Sequence, residues 1–315
     1  LSISAPEYLS LSYRLGTSLR YGENPHQNAA FYEKVYEENP AEWKQLHGKE
    51  LSYNNYTDMY NAVRFVKEFS EPAVVGTKHN NPAGIGIGDT IDEAFDKAYA
   101  CDATSLFGGI FALNRPVSKH IAEVLHSFFM EIVIAPEYEE EALSILEEKK
   151  NLRVIAMPNL STFSLPKKTV KEVLGGILVQ DYDDANLTEE MEVVSARKPT
   201  EEEMRDLLFG FKAVKMVASN GAVLVKDGAT LGIGQGEVRR SWAVEEALSR
   251  AEGKLSGAVL ASDGFFFNDT VELLQKNGIR AVIQPGGSVK DPEVIALCDQ
   301  YGIALVMTHI RHFRH

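Results

Sequence analysis

Two pairs of short apolar segments decide the fold class: IVIAP at 132–136 with RVIAM at 153–157, and AVIQP at 281–285 with IALVM at 303–307. A helical pattern lies between the members of each pair. Their last residues are 21 positions apart in the first pair and 22 in the second. Short apolar runs separated by helical patterns are typical of buried strands in an α/β sheet. The sequence therefore predicts an α/β fold with an internal repeat.

The repeat extends upstream of both pairs. An Asp-then-Phe loop precedes each pair, CDATSLFGG near Asp102 and SDGFFFND near Asp263, and an apolar strand, AVVGTKH or AVLVKDG, precedes each loop. We therefore predict two similar units, each a sheet flanked by helices, over residues 1–157 and 205–315. Residues 158–204, which are rich in charged and turn residues, form the predicted connecting region. Within the first unit, helices are predicted to start at a Thr90 cap and at Pro116.

Composition excludes several classes of protein. The chain has 315 residues, of which 44% are hydrophobic, and a net charge of -13, so we expect a globular protein that does not bind nucleic acid. No apolar run approaches the length that crosses a bilayer, and we expect a cytoplasmic protein. Cys101 and Cys298 are too few and too far apart for a disulfide framework or a structural zinc site. We expect both to be small buried residues.

Candidate binding residues cluster at predicted loops and element ends, where α/β proteins carry their sites. LGIGQGEVRRSW passes from a predicted strand through three glycines into a helix that starts near Arg240. This pattern is consistent with an anion site at a helix N-terminus and equally with a bare glycine-rich turn. The five clusters are LRYGENPHQ (19–27), LSYNNYTDMYNA (51–62), TKHNNPAG (77–84), ASNGAVLVKDGATLGIGQGEVRR (218–240) and THIRHFRH (308–315).

Lys78 and His79 in TKHNNPAG follow an apolar strand. They could be a solvated lysine and a hydrogen-bonded turn histidine, or an acid/base pair. Neighbours on a strand point to opposite faces, so both can line one pocket only if the chain turns there. We predict that NNPAG supplies this turn. At the C-terminus, a frayed basic tail and a firmly held one are the alternatives, and the preceding strand IALVM favours the held one.

Seven motifs in order, LRYGENPHQ, KHNNPAG, VKMVASNGA, LGIGQGEVRR, SDGFFFND, IQPGGSVKD and THIRHFRH, resemble the aminoimidazole carboxamide ribonucleotide (AICAR) transformylase part of bifunctional purine-biosynthesis proteins, which also carry IMP cyclohydrolase. The resemblance spans residues 19–315. It implies a tandem of two cytidine-deaminase-like three-layer α/β/α units. It also implies formyl transfer from 10-formyltetrahydrofolate to the 5-amino group of AICAR, in a homodimer whose sites lie at the subunit interface.

The resemblance also implies roles for individual residues. Lys78 and His79 would be the catalytic pair and Asn220 the third member. SDGFFFND is one residue shorter than the family pattern, which leaves the register of the folate positions Phe265 and Asp269 open by about one residue. No zinc is implied, and a monovalent cation such as potassium is left open. The implied AICAR-binding residues are Arg20, Tyr21, Lys78, His79, Gly108, Glu131, Arg240, Arg311 and Phe313, and the folate-binding residues are Asn55, Asn220, Phe265, Asp269 and His315.

Two other functions compete with this interpretation. A zinc deaminase needs a His or Cys with a nearby Glu and then PCxxC, and neither cysteine here lies in CxxC. A non-enzymatic sensor of a purine nucleotide or folate would need only the binding groups. Eighteen residues precede Leu19, so a stand-alone transformylase and a fragment of a bifunctional chain both remain open, with the cyclohydrolase separate or fused.

Overall fold

A computed structural model describes residues 6–185 and 191–315. The helices are α1 (Tyr53–Val66), α2 (Ile91–Cys101), α3 (Ala103–Leu106), α4 (Lys119–His126), α5 (Glu140–Glu147), α6 (Glu201–Val214), α7 (Arg240–Arg250), α8 (Asn268–Lys276) and α9 (Asp291–Tyr301). The strands are β1 (Tyr13–Leu19), β2 (Ala29–Lys34), β3 (Lys44–His47), β4 (Ala73–Lys78), β5 (Asn81–Ile87), β6 (Ile110–Leu113), β7 (Ile132–Ala135), β8 (Arg153–Ala156), β9 (Lys168–Val173), β10 (Gly176–Asp181), β11 (Glu192–Val193), β12 (Ala222–Lys226), β13 (Ala229–Gly234), β14 (Val259–Ser262), β15 (Ala281–Gln284) and β16 (Ala304–Met307).

Within the described ranges, twelve strands form one mixed sheet in the order β11-β16-β15-β14-β12-β13-β5-β4-β6-β7-β8-β3. The pairs β1–β2 and β9–β10 form two separate antiparallel ribbons. The predicted α/β class is therefore confirmed, as one large sheet flanked by helices.

The strand pairing occurs twice. In the first half, β4 pairs antiparallel with β5 and β6, and β6, β7 and β8 are parallel. In the second half, β12 pairs antiparallel with β13 and β14, and β14, β15 and β16 are parallel. Because one sheet runs through both halves, the predicted boundaries at 157 and 205 stay predictions.

Helices cover both faces of the sheet. One continuous core packs α1 and α6 against residues such as Val75 and Val223. On the opposite face, α2, α4 and α5 cover the first half around Val74, and α7, α8 and α9 cover the second half around Leu224. The alternation of Val74 and Val75 follows the period of two in a strand. Strands covered on both faces read as continuous apolar runs, which explains why the repeat is visible in the sequence.

The two predicted helix starts differ in accuracy. Thr90 caps α2 as predicted, because its hydroxyl accepts a hydrogen bond from Glu93 N at 3.2 Å. The start predicted at Pro116 is wrong: α4 begins at Lys119, since the Ser118 hydroxyl accepts from Ile121 N and so caps the helix. No helix of the part of the chain that is described is long and apolar enough to span a membrane.

The glycines of LGIGQG pack a strand against a helix. Gly232 and Gly234 lie within β13, and a Cβ atom on them would lie 2.1 Å from Ala247 O and 1.8 Å from Ala243 O of α7. The expectation of a glycine-rich loop that approaches an anion is therefore wrong for these two residues. Only Gly236 lies in the loop, with φ of +72° and open space around it.

Candidate active site at one edge of the sheet

The strand directions bring distant polar segments to one edge of the sheet. Neighbouring strands in the series β4, β5, β13 and β12 are all antiparallel, so the end of β4 and the start of β12 lie at the same edge. The ends of β13, β14 and β16 reach this edge too, because β13 and β14 run antiparallel to β12, and β16 runs parallel to β14. Residues 78–81, 219–221, 263–265 and 308–315 therefore share it.

A two-residue turn carries the predicted catalytic histidine. His79 and Asn80 have φ of +51° and +64°, and Lys78 pairs with Asn81, which is a type I′ hairpin turn. The prediction that NNPAG forms the turn holds for its first residue, Asn80, and is wrong for the rest, since residues 81–87 form strand β5. Pro82 is tolerated there because its missing N–H coincides with an irregularity in the strand register.

Lys78 and His79 line the same cavity, of about 190 Å³. Lys78 is half-buried and its Nζ donates to Phe107 O at 2.7 Å, whereas His79 is exposed. Gln235 of the second half lines the opposite wall. The cavity therefore lies between the two halves, and Lys78 and His79 both contribute to its lining.

Asn220 is held from two sides. Its Nδ2 donates to Glu237 O at 2.7 Å, and its Oδ1 accepts from Arg240 Nη2 at 2.6 Å. The preceding peptide bond, between Ser219 and Asn220, is cis. The two hydrogen bonds give the amide of Asn220 a fixed orientation at the sheet edge. Within the described ranges, no hydrogen bond joins this amide to Lys78 or His79.

Arg240 has three polar partners at this edge: Asn220, Asp263 and the Gly221 carbonyl, which accepts from its Nη1 at 3.2 Å. Besides Asn220, it forms an ion pair with the buried carboxylate of Asp263, which also accepts from Ser219 Oγ at 2.5 Å. The Arg240 side chain is 11% exposed, and its Nε has no hydrogen-bond partner among the described atoms. Much of the guanidinium of this predicted AICAR ligand is thus already engaged by the protein.

The C-terminal residues alternate in direction. Arg311, Phe313 and His315 are exposed, whereas His312 is buried and Arg314 is half-buried. Arg311 Cζ lies 4.2 Å from the centre of the Phe313 ring, and the rings of Phe313 and His315 are 5.6 Å apart. The three exposed residues line a cavity of about 570 Å³ whose other wall is the β9–β10 ribbon. The prediction that the terminus is held firmly is confirmed.

His312 attaches the terminus to the connecting region. Its Nδ1 lies 2.7 Å from Asp183 Oδ2, and its ring packs on Phe211. Burial opposes ionisation of Asp183, but the hydrogen bond with His312 and the charges of His312 and Lys215 outweigh it and lower the pKa of Asp183. The carboxylate is therefore the form of Asp183 that the fold favours.

Two predicted AICAR ligands lie on the first half of this edge. Gly108, with φ of +72°, follows the Phe107 carbonyl that holds Lys78. Glu131 precedes β7, and its Oε2 accepts from Arg153 Nη1 at 2.8 Å. Gly108 is therefore a neighbour of the Lys78 anchor, and Glu131 is already paired with a cation.

Asn55, a predicted folate ligand, has a structural role at the start of α1. Its Oδ1 accepts from Ser52 N at 3.0 Å, and its own N donates to Ser52 Oγ at 3.2 Å. These two bonds form a capping box. They fix the helix start and occupy the Asn55 Oδ1 atom within the fold.

The remaining predicted ligands lie outside the Lys78 cavity. Arg20 and Tyr21 line a separate cavity of about 620 Å³ between the β1–β2 ribbon and α1. Phe265 is half-buried and packs edge-on against Phe267, and Asp269 forms an exposed ion pair of 3.3 Å with Arg239. One chain therefore does not bring all the predicted ligands to a single cavity.

Three residues at the edge lie in motifs noted in the sequence, although the sequence predicts no individual role for them. Asp58 Oδ1 accepts from Asn80 N at 2.6 Å, Asp263 forms the pair with Arg240, and Arg314 Nη2 donates to Asn80 O at 2.7 Å. The signals in the sequence were the positions of Asp58 and Arg314 in the polar clusters 51–62 and 308–315. The contacts themselves join residues that are far apart in sequence and depend on the fold.

Metal ligands and thiols add little to this site. In the parts of the chain that are described, no group of three or more His, Cys, Asp and Glu side chains is arranged to hold a metal ion. Both cysteines are buried, as predicted, and burial raises the pKa of Cys101 to about 11 and that of Cys298 to about 12. The potassium ion stays a prediction, since carbonyl oxygens alone can hold one.

The structure is thus that of an α/β protein with two similar halves, whose polar residues gather along one edge of their common sheet. The family model described as AICARFT/IMPCHase bienzyme matches residues 2–250. The chain is 53% identical over 312 residues to the bifunctional purine biosynthesis protein PurH of Clostridium botulinum (strain Hall), and it covers 61% of that protein. It is 50% identical to the PurH proteins of Oceanobacillus iheyensis and Caldicellulosiruptor saccharolyticus.

The chain therefore belongs to the AICARFT/IMPCHase bienzyme family. The similarity covers 98% of the chain for the first two relatives and 99% for the third. The chain spans about three fifths of the length of these relatives, 61% or 62% in each case.

Proposed function

We propose that this chain is an AICAR transformylase of purine biosynthesis. It would transfer the formyl group of 10-formyltetrahydrofolate to the 5-amino group of AICAR, giving formyl-AICAR and tetrahydrofolate. The observation that carries the proposal is the hairpin turn that places Lys78 and His79 on one cavity, at the same sheet edge as Asn220. Because the chain belongs to this family, formyl transfer is the reaction that we assign to this arrangement.

His79 is the proposed general base. The amine of AICAR is attached to an electron-poor imidazole and is a weak nucleophile, so it needs to lose a proton as it attacks the formyl carbon. An exposed imidazole can accept this proton near neutral pH. The new C–N bond and the proton on His79 form together, and the formyl oxygen becomes an oxyanion.

Lys78 is the better-placed donor to that oxyanion. Its ammonium has three donors, and the Phe107 carbonyl accepts one of them. The Asn220 Nδ2 donor, in contrast, is bonded to the Glu237 carbonyl. One preorganised donor of this kind contributes about 3 kcal/mol to transition-state stabilisation. When the intermediate collapses, the bond to the folate nitrogen breaks and that nitrogen takes up a proton, from Lys78 or from protonated His79.

Arg311 and Phe313 are the proposed contacts to the nucleotide. A guanidinium binds phosphate through paired charge-assisted hydrogen bonds, and an exposed phenyl ring can stack on a flat heterocycle. Both side chains face the cavity beside the β9–β10 ribbon. The other residues implied by the resemblance are proposed ligands as well. For AICAR they are Arg20, Tyr21, Gly108, Glu131 and Arg240, and for the folate they are Asn55, Phe265, Asp269 and His315.

We further propose that the protein works as a homodimer with sites shared between subunits. Two observations support this. The predicted ligands lie in separate cavities of one chain. The two ribbons expose apolar side chains, such as Leu15 on β1 and Leu178 on β10, although a two-stranded ribbon is marginally stable alone. The two halves are proposed to be cytidine-deaminase-like units, with boundaries near 157 and 205.

The direct test mixes the protein with AICAR and 10-formyltetrahydrofolate and follows tetrahydrofolate by chromatography. We expect turnover that needs both substrates, with a specific activity that rises with protein concentration until dimers dominate. Binding of both substrates without turnover would support the sensor alternative instead. Stoichiometric bound zinc, on which the activity of the protein depends, would support the deaminase alternative.

A further inference from the structure

The two halves are joined unevenly. The central strands β5 and β13 pair through their backbones at Gly86 and Ala229, and Ile87 N donates to Gly228 O at 2.9 Å. These contacts lie at the end of β5 farthest from His79. At Ile85, the Thr230 hydroxyl already replaces the partner backbone, at 2.9 Å from Ile85 N.

Toward the site, the cavity that contains Lys78 and His79 separates the two strands. Its walls include Asn81 and Ala83 of β5 and Gly232 of β13. Backbone pairing between the halves therefore does not set the distance between the His79 turn and the Asn220 loop. Side-chain contacts at the edge connect these two segments instead.

Arg314 spans the gap with its guanidinium. Its Nη2 donates to Asn80 O at 2.7 Å, in the turn that contains His79. Its Nη1 donates to Met216 O at 3.0 Å, in the segment that leads to Asn220. The Asn81 amide oxygen lies 3.3 Å from the same nitrogen. One planar group thus holds backbone atoms of both halves.

The main chain of Arg314 binds the same loop of the second half. Its N donates to Ser219 Oγ at 3.0 Å, and its carbonyl accepts from Ser219 N, also at 3.0 Å. Ser219 directly precedes Asn220. The side chain of Arg314 therefore reaches the residue after His79, while its backbone is bound to the residue before Asn220.

The surroundings keep this arginine in place. Arg314 is half-buried, and its Cζ lies 5.3 Å from the centre of the Phe65 ring. Burial, together with the charge of Arg64, lowers the pKa of Arg314 to about 10, so the group remains a cation at neutral pH. Its fork of donors has a fixed shape, which an ammonium or an amide does not reproduce.

We propose that Arg314 is a positioning residue that sets the distance between the His79 turn and the Asn220 loop. Its effect on catalysis rests on the proposed function, whereas its effect on the two segments does not. Arg115 is a matched control, because it also donates to two carbonyls, Ser70 O at 2.7 Å and Asn114 O at 3.0 Å. It lies at the opposite edge of the sheet, where β4 begins.

The test compares Arg314→Gln, Arg314→Lys and Arg115→Gln in the full chain. Hydrogen exchange is measured on peptides that cover 76–82, 215–222 and, as an internal reference, 225–230. For Arg314→Gln we expect faster exchange in the first two peptides and no change in the third. We also expect kcat to fall roughly 10- to 100-fold, because a small misplacement of reacting groups is costly, while AICAR affinity changes less than about threefold.

The other variants sharpen the result. Arg314→Lys keeps a charge but only part of the fork, so its kcat and exchange are expected between those of wild type and Arg314→Gln. Arg115→Gln is expected to keep kcat within about twofold of wild type, since its carbonyl contacts lie away from the site. If Arg314→Gln does not fold, the same comparison is made with Arg314→Lys.

Three results would overturn the proposal. These are unchanged exchange in 76–82 or 215–222, wild-type kcat in Arg314→Gln, and a loss of AICAR affinity at constant kcat, which would make Arg314 a ligand instead. A wild-type protein without formyl transfer would contradict the proposed function. In that case the exchange data still decide whether Arg314 couples the two segments.

Discussion

The two hairpins that flank the centre of the sheet, β4–β5 and β12–β13, share a backbone and differ in their turns. Lys78 and Lys226 end the first strand of each hairpin. The turn residues are His79–Asn80 in one and Asp227–Gly228 in the other, and all four have positive φ. The same turn geometry is therefore filled with residues of different chemistry.

The support beneath the two turns is similar. Asp58 and Asp206 are both the sixth residue of their helix, α1 and α6. Asp58 accepts one turn amide, at 2.6 Å, whereas Asp206 accepts two, from Asp227 N and Gly228 N at 2.9 Å each. The second turn is thus the better satisfied of the two.

The two turns also differ in how well their residues tolerate positive φ. Asp-Gly is a favoured pair for a type I′ turn, whereas a histidine at positive φ costs about 1–3 kcal/mol. The first half keeps His79 in that conformation at the cavity, and the second half uses the less strained pair. The more strained turn is therefore the one that carries the proposed general base.

The largest expected difference between the hairpins is in catalysis. His79→Ala should lower kcat by about 10²- to 10⁴-fold, because it removes the proposed general base. Asp227→Ala, at the equivalent position of the second turn, should leave kcat within about twofold, since it lies at the other edge of the sheet. Steady-state formyl transfer measures both. Equal kcat in His79→Ala and wild type would remove His79 from the mechanism.

A second difference concerns the supporting carboxylates. Asp206→Ala should lower the free energy of unfolding by about 2 kcal/mol, because two amides lose their acceptor, and Asp58→Ala by about 1 kcal/mol, because one does. Urea denaturation gives both values. The reverse order would contradict the view that the second turn is the better anchored.

Relief of strain should produce a smaller effect of opposite sign. His79→Gly is expected to raise the free energy of unfolding by about 1 kcal/mol while formyl transfer is lost, since glycine accepts positive φ without strain. Asp227→Gly serves as the control and should gain less, because aspartate tolerates this region better. Urea denaturation of the two variants and wild type tests this. A destabilised His79→Gly would show that the turn is not strained.

The smallest expected effect is on pH dependence. Burial raises the pKa of Asp206 above its ordinary value of 3.8, although the amides of Gly228 and Asp227 partly offset it. Between the two values the folded state binds more protons than the unfolded state, so this group makes stability fall as pH rises through that window. Asp206→Asn removes the effect. Its stability should therefore decline more steeply on acidification toward pH 4, by about a few tenths of a kcal/mol. Parallel pH curves for variant and wild type would contradict the raised pKa.

Much of the fold could be predicted from the sequence. Strands buried on both faces are continuous apolar runs, so IVIAP and AVIQP were visible with their spacing. The turn position was not, because Pro-Ala-Gly has the composition of a turn but lies in β5. The turn itself has no glycine. Only the backbone shows that His79 and Asn80 are left-handed.

The candidate site was predictable in part. Strand ends indicated where Lys78, His79 and Asn220 would lie, and the alternation of the last residues indicated that some would point inward. The roles of Arg314 and Asp58 could not be foreseen, since their hydrogen bonds depend on which strands become neighbours. Asn55, in contrast, was predicted as a folate ligand, and the structure shows that its side chain takes part in capping helix α1.

The antiparallel pairing of β5 with β13, with the strand order repeated outward on both sides, relates the two halves by an approximate twofold axis at the centre of the sheet. Such a duplicated frame offers two equivalent sites, one at each edge of the sheet. At the second edge, Lys226 remains, but aspartate and glycine fill the turn, and Asn114 stands where Asp263 would be. That edge keeps the equivalent lysine but has no counterpart of His79, and it is the natural place to engineer a second activity into this chain.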